Sequence, residues 1–418
     1  MLTPEENDRL TRVGRGTPMG ELLRRYWYPI AAISQMKDRD TLPVRLLGED
    51  LVLYRDLGGN FGLLTARCPH RGMSLVYGIP TACGLRCPYH GWSYDSTGHC
   101  VEQPYEDTEN PQGRYKDKIK TPAYHVAQLG GMFFGYLGPD PVPVLPPWDV
   151  FVADGMRDIG FAVVPCNWLQ IMENSLDPVH VEWLHQHMFN YVVGKLGEPE
   201  KQYPPQTHKK IGFDAFEYGI IKRRIVDDNS EENEDWATGH PVVFPNFLKS
   251  GSRSMPAFQI RVPIDDVQTA YWWYRCYTPE LGLASEEQAP EDIPFYNAPV
   301  PQLDPSGLPR WDILDTNSGQ DIVAWITQGP ITDRTHENLG RSDKGIVLYR
   351  RMLKDGLTAV AEGRDPMNVF RDTSIKRIDL PVEKDKLGSS KRRLAGGVRG
   401  GNTTKYSPVL KRLGRTAR

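Results

Sequence analysis

The hydrophobic pattern of the first 140 residues comes in short runs of strand length. Runs at 27–33, 42–47 (LPVRLL), 50–55 (DLVLYR) and 61–66 (FGLLTA) predict strands, with Gly58-Gly59-Asn60 as the turn before the last. Ahead of them, Leu10, Val13, Met19, Leu22 and Leu23 are interrupted by Gly14, Gly16 and Pro18, which predicts short helices within 5–25. The segment GWSYDSTGHC (91–100) reads as strand–turn–strand, and 120–138 reads as a hairpin about Gly130-Gly131. Five prolines fall within the ten residues 139–148, predicting a stiff extended connector outside any core and a domain boundary near Asp149.

Beyond that boundary the pattern changes. Residues 167–176 are helical in pattern, and a proline at 178 demands a bend or a restart. Runs at 212–226, 240–251, 255–266 and 267–279 predict an antiparallel sheet rich in β-branched and aromatic residues. Residues 227–235 form an acidic surface loop, and 280–310 read as a Pro-rich loop placed to cover a site. Helices are expected at 311–327 and, with Ile346, Leu348, Leu353 and Leu357 on or near one face, at 341–361. The expected class is α+β. An all-β domain with an N-terminal helical segment (1–149) precedes a domain (150–418) whose antiparallel sheet wraps a long helix in helix-grip fashion.

Composition narrows the class. With 39% hydrophobic and 25% charged residues among 418, the chain reads as soluble, and its length suits two domains. No apolar run reaches the roughly 18 residues a spanning helix needs, and the N-terminus lacks a secretory core. Six cysteines, unevenly spread, do not make a disulfide framework, so a cytoplasmic location is expected. A net charge of -3 gives no case for nucleic acid. The exception is 386–418, with ten Lys and Arg and no acid. It reads as a solvated tail or, alternatively, a docking surface for an acidic partner.

The chemistry concentrates in two stretches. Cys68-Pro-His70 and Cys87-Pro-Tyr-His90 are separated by sixteen residues, each box supplying one thiolate and one imidazole. Two Cys and two His serve either zinc or a [2Fe–2S] cluster. A zinc finger groups its cysteines in one knuckle and its histidines on a helix, whereas mixed boxes suit a cluster with two thiolates on one iron and two imidazoles on the other. Trp92 and Tyr94 are expected beside it, Cys83 as a plain loop thiol, and His99 as non-ligating. In the second stretch, His180 and His185 are five apart, so an irregular turn is needed to converge them. Two histidines and one carboxylate form the facial triad of non-haem Fe(II) oxygenases. Candidate carboxylates are many, and spacing does not choose among them.

The pattern Cys68-x-His70 with Cys87-x-x-His90 resembles the Rieske centre of ring-hydroxylating oxygenases, and Asn174-x-x-Asp177-x-x-His180-x-x-x-x-His185 resembles their mononuclear-iron motif. The opening 2–29 and the HPVVFPN run (240–246) look most like the phthalate 4,5-dioxygenase branch. That resemblance implies a large (alpha) subunit carrying a [2Fe–2S] cluster and a mononuclear Fe(II). It supplies Asp321, in NSGQDIVAW, as the third iron ligand and leaves His187 outside the set. It implies catalytic roles for Asp177 and Asn174, with Asp177 linking His180 to His90 of a neighbouring subunit in a homotrimer or in stacked trimers. The implied reaction is dihydroxylation of a phthalate-like aromatic carboxylate with O2, the alternative being monooxygenation, O-demethylation or ether cleavage of a methoxy- or phenoxybenzoate. No G-x-G-x-x-G follows a strand, so electrons are expected from a separate NAD(P)H-dependent reductase. An anionic substrate wants a cation in the pocket. Of Lys209, Lys210, Arg223, Arg224, Lys249, Arg253 and Arg261, the pair Lys249 and Arg253, flanking the loop after FPNFL, are the expected substrate-binding residues.

Overall fold

A computed structural model describes residues 1–281, 288–384 and 405–416 of the chain. Ten strands form before residue 137: β1 (Trp27–Ala32), β2 (Thr41–Leu46), β3 (Glu49–Arg55), β4 (Phe61–Thr65), β5 (Ile79–Thr81), β6 (Gly84–Arg86), β7 (Ser93–Asp95), β8 (Cys100–Glu102), β9 (Ala123–Leu129) and β10 (Met132–Tyr136). Six make an antiparallel sheet in the order β1-β10-β9-β4-β3-β2, and β5 to β8 make a four-stranded sheet standing apart from it. The first Cys/His box lies on the connection from β4 to β5, between the two sheets, and the second on the loop between β6 and β7.

An eight-stranded sheet follows, in the order β12-β13-β14-β15-β16-β17-β11-β18. Its strands are β11 (Met156–Val164), β12 (His208–Phe216), β13 (Gly219–Val226), β14 (His240–Val243), β15 (Phe247–Ser252), β16 (Met255–Pro263), β17 (Thr269–Tyr277) and β18 (Phe295–Asn297). The run 212–226 folds back on itself between Phe216 and Gly219, and 240–251 does so between Val243 and Phe247. β11, which the hydrophobic pattern left unassigned, lies between antiparallel β17 and parallel β18. The 280–310 loop therefore adds a strand to the sheet.

Helix Lys344–Ala361 buries Ile346, Tyr349, Leu353 and Leu357, an i, i+3, i+4 stripe that Leu348 only half joins. The six- and eight-stranded sheets share a core. Phe151 contacts Phe134 of β10 at 5.4 Å, Tyr274 of β17 at 4.9 Å and Phe258 of β16 at 5.3 Å. Burying such a ring contributes about 1.5–3 kcal/mol.

Three expectations about the segments outside the sheets change. The proline-rich connector is extended, but it is pinned into the core: Trp148 is buried, Trp27 Nε1 donates to Pro143 O at 2.9 Å, and Val144 N donates to Phe370 O at 2.9 Å. The N-terminal helices Pro4–Thr11 and Pro18–Leu23 also pack toward the second half of the chain. Leu2 N donates to Arg334 O at 3.0 Å, Val13 N to Asp266 Oδ1 at 2.8 Å, and Leu22 rests on Gly356. Their apolar face needs a larger partner surface than the small first domain offers. Part of the basic tail is docked as well. Ser407, Val409 and Leu410 are buried, and Lys405 pairs with Asp315 at 2.8 Å. Residues 386–404, 417 and 418 of that tail lie outside the described residues.

Candidate functional site

The two Cys/His boxes fold as near-equivalent loops. Cys68 N donates to Met73 O at 2.9 Å and Gly72 N to Cys68 O at 2.8 Å; Cys87 N donates to Trp92 O at 2.8 Å and Gly91 N to Cys87 O at 3.0 Å. Gly72 (φ 76°) and Gly91 (φ 77°) take the left-handed conformation that closes each loop and that side chains disfavour. The cysteines are buried at 2% exposure, whereas His90 is exposed and His70 half-exposed, so the thiols point inward and the imidazoles outward. The His70 and His90 rings lie 4.4 Å apart, and Trp92 stacks on His70 at 4.2 Å. Tyr94 Oη lies 3.1 Å from Cys68 Sγ, within reach to donate to a thiolate. Burial and the neighbouring His90 push His70 down, toward the neutral ring a metal ligand needs, and its Nδ1 is buried without a partner. Two inward thiols and an orphaned imidazole nitrogen fit a mixed-ligand iron–sulfur cluster. Cys83 is exposed, and His99 is tied to Thr97 on a turn.

The second stretch solves its spacing problem with a widened turn. Helix Trp168–Ser175, capped by Asn167, ends just before Asp177-Pro178. Asp177 Oδ1 accepts from Val179 N at 2.8 Å and His180 N at 3.4 Å, restarting the helix. Residues Trp183–His187 are a π-helical turn, and this brings the rings of His180 and His185 within 5.1 Å despite their five-residue separation. From the facing helix Asn317–Ile326, Asp321 Oδ1 lies 3.1 Å from His185 Nε2 and 3.7 Å from His180 Nε2. These three residues can offer ligand atoms all within 4.8 Å of one another. Asp321 Oδ1 accepts no hydrogen bond and is buried, which fits a cation between the three.

The surroundings set the proton positions. His185 Nδ1 donates to Gln320 Oε1 at 2.9 Å, and Gln320 Nε2 is itself tied to Leu314 O at 2.9 Å, so His185 Nε2 is left to ligate. Gln320 carries no sequence signal beyond its adjacency to Asp321. Burial pushes His180 down, whereas Asp321 raises His185 against the effect of burial. Asp177 Oδ2 lies 3.6 Å from His180 Nδ1, and its side chain is 27% exposed. Asn174, one turn before Asp177, is half-buried. His187 is exposed and stacked on Trp183, outside the ligand cluster.

Behind the triad, Glu173 accepts from Arg334 (Nη2, 2.7 Å) and Arg350 (Nε, 2.7 Å), tying together the helix before His180, the loop after Asp321 and the long helix. Glu173→Gln leaves the buried Arg334 without an acidic partner and Arg350 with Glu337 alone, and is expected to lower stability by about 3–5 kcal/mol, read from urea unfolding. The two arginines overcome burial and hold the Glu173 carboxyl below its ordinary range. Its contribution is therefore complete above the unfolded glutamate value of about 4.3 and is lost as pH falls through the folded value.

The cations are not distributed as expected. Lys249 is buried in an ion pair with Asp149 and donates to Leu380 O at 3.0 Å, so its charge is used structurally. Arg253 is exposed, its backbone held by Glu383 O at 2.9 Å. Neither is placed as a substrate-binding cation. A cation whose charge reaches the triad is Lys222 of β13, the neighbour of the candidates Arg223 and Arg224. Burial, then Arg224, push Lys222 down to about 8, while Asp177 and Asp321 pull it back up.

The comparisons agree with this geometry. The Rieske [2Fe-2S] domain matches residues 26–124, and the LigXa C-terminal domain like family matches 314–381. The chain is 46% identical over 385 residues to the 5,5'-dehydrodivanillate O-demethylase oxygenase subunit of Sphingobium sp. strain SYK-6, covering 91% of this chain and 87% of that protein. It is 32% identical over 413 residues to the phthalate 4,5-dioxygenase oxygenase subunit of Pseudomonas putida, covering 90% and 91%. The fold matches the terminal oxygenase of carbazole 1,9a-dioxygenase from Novosphingobium sp. KA1 with a TM-score of 0.56 at 20% identity, over 84% of this chain and 94% of that one. Enzymes of this kind use a Rieske cluster, a mononuclear iron and O2, and take electrons from separate components. Among the described residues no helix is long and apolar enough to cross a membrane. The chain belongs to the Rieske non-haem iron ring-hydroxylating oxygenases, as a large (alpha) subunit.

Proposed function

We propose that this chain is the terminal oxygenase of an O-demethylase acting on a methoxylated aromatic carboxylate. The observation that carries the reading is the 46% identity, over 91% of the chain, to an O-demethylase whose substrate is by its name a divanillate. In this reading Cys68, His70, Cys87 and His90 hold the cluster, and His180, His185 and Asp321 hold the iron. Bound there, the metals supply dioxygen activation and stored electrons. Asp177 and Gln320 orient the two histidines, and the buried setting of the triad limits water around the reacting group. An aryl methyl ether, dioxygen, two electrons and two protons are converted to a phenol, formaldehyde and water.

The reading includes a homotrimer in which exposed His90 of one subunit faces Asp177 and His180 of the next. The partial exposure of both His90 and Asp177 supports it. The second reading is dioxygenation of a phthalate-like carboxylate, favoured by the Pseudomonas putida relative. Product analysis with a surrogate reductase separates them, using vanillate, a divanillate and phthalate. O-Demethylation predicts one formaldehyde per dioxygen consumed. A dihydrodiol from phthalate, with no formaldehyde from any methoxyarene, would overturn it.

A further inference from the structure

One wall of the triad holds a lysine that no direct ion pair among the described residues neutralises. Lys222 lies opposite Phe213 and His240 in the sheet register, so the three side chains share a face. Phe213 seats its ring on Gly345 beside the carbonyl of Leu176, the residue before Asp177. That face is thus turned toward the Asp177 turn and the histidines that follow it.

Its other charged groups are already engaged. Arg224 lies 3.5 Å from Asp235, and His240 Nε2 lies 2.9 Å from Asp235 and 3.2 Å from Glu383. Arg261 of β16 is held by Gln259, through its carbonyl at 2.9 Å and its side chain at 2.8 Å, so an amide and not an acid receives that guanidinium. The two nearby carboxylates, Asp177 and Asp321, are committed to the backbone and to the histidines. Lys222, at 8% exposure, makes no ion pair and no hydrogen bond among the described residues. An ammonium on a largely buried stem, without a charged partner, is costly unless a ligand or solvent completes it. With a divalent metal, two neutral imidazoles and one carboxylate, the triad itself is net positive and cannot supply that partner.

We propose that Lys222 is the specificity-determining anchor for the substrate, accepting an aryl carboxylate on the side of the pocket formed by β13, with Arg261 adding a fixed positive field behind it. This rests on the reading of the site as an aromatic oxygenase centre and names the charged group its substrate carries. The ammonium, on a flexible four-carbon stem, donates to one carboxylate oxygen as a point charge. The ring is thereby held with its substituent toward the triad. Neutral methoxyarenes of the same shape lack the anchor.

The test reads binding without turnover. Anaerobic titration calorimetry of the iron-loaded enzyme compares vanillate and phthalate with their carboxamides. Wild type is expected to bind the carboxylates roughly 10- to 100-fold more tightly than the amides, the range of a desolvated charge-assisted contact. Lys222→Met should bring that ratio to within about twofold, and Lys222→Arg should restore most of it. Lys222→Gln serves as the neutral variant if Lys222→Met does not fold. A wild-type enzyme without carboxylate preference overturns the proposal, as does a neutral variant that keeps the preference with cluster and iron intact. Formaldehyde release plays no part in this readout, so the anchor and the O-demethylation reading fail separately.

Discussion

Asp321→Ala is expected to empty the mononuclear site while leaving the Rieske cluster spectrum unchanged, with turnover falling more than about 1,000-fold. Asp321 supplies the only acidic atom of the three-residue cluster, and its Oδ1 lies within 3.7 Å of both histidine Nε2 atoms. Removing it leaves two neutral imidazoles on one segment, too few ligands to retain a divalent ion in competition with water. The helix itself should persist. Its N-cap Thr316 accepts from Gly319 N at 3.1 Å, and Ile322 and Trp325 remain buried. The check is iron content per chain together with the visible spectrum. Full iron occupancy with activity within tenfold of wild type would remove Asp321 from the ligand set.

Asp177→Asn is the second large effect, and it differs in kind. Both metals should stay bound, yet coupled turnover should fall at least about 100-fold. The asparagine carbonyl can still accept from Val179 N and keep the restarted helix. What it cannot keep is the charge beside His180 Nδ1, which is buried and has no other partner. An amide N–H there sets donor against donor, or the amide flips and gives up the cap. Stopped-flow oxidation of the reduced cluster separates this from simple iron loss: the electron should leave slowly from a fully loaded enzyme. Wild-type kinetics in the variant would end the bridging role.

Much of this was legible in the chain because the signals are local. Mixed Cys/His boxes followed by Gly72 and Gly91 specify their own loops, since the turn needs a left-handed residue at one place and the ligands need fixed offsets from it. The strands of the six-stranded sheet and the long amphipathic helix follow from periodicity for the same reason, whereas the three-residue strands β5 and β6 between the boxes are too short to show a period. The five-residue gap between His180 and His185 even announced that a regular helix would not serve, and the π-turn at Trp183–His187 is the answer.

What only the tertiary structure decided depends on partners far away in sequence. Lys249 looked like a pocket cation until its ion pair with Asp149, 100 residues distant, accounted for its charge. Lys222 has no signal in the sequence to set it apart from Arg223 and Arg224; the β12–β13–β14 register places it opposite Phe213 and His240, on the same face of the sheet. Gln320 became the partner of His185 only when two helices 135 residues apart met. The sequence by itself determined the ligand types and the local geometry that presents them, because thiolate, imidazole and carboxylate chemistry is written in short spacings. Which charges face the metal, and which are consumed in holding the fold, was decided by packing, because a buried charge is defined by what lies opposite it.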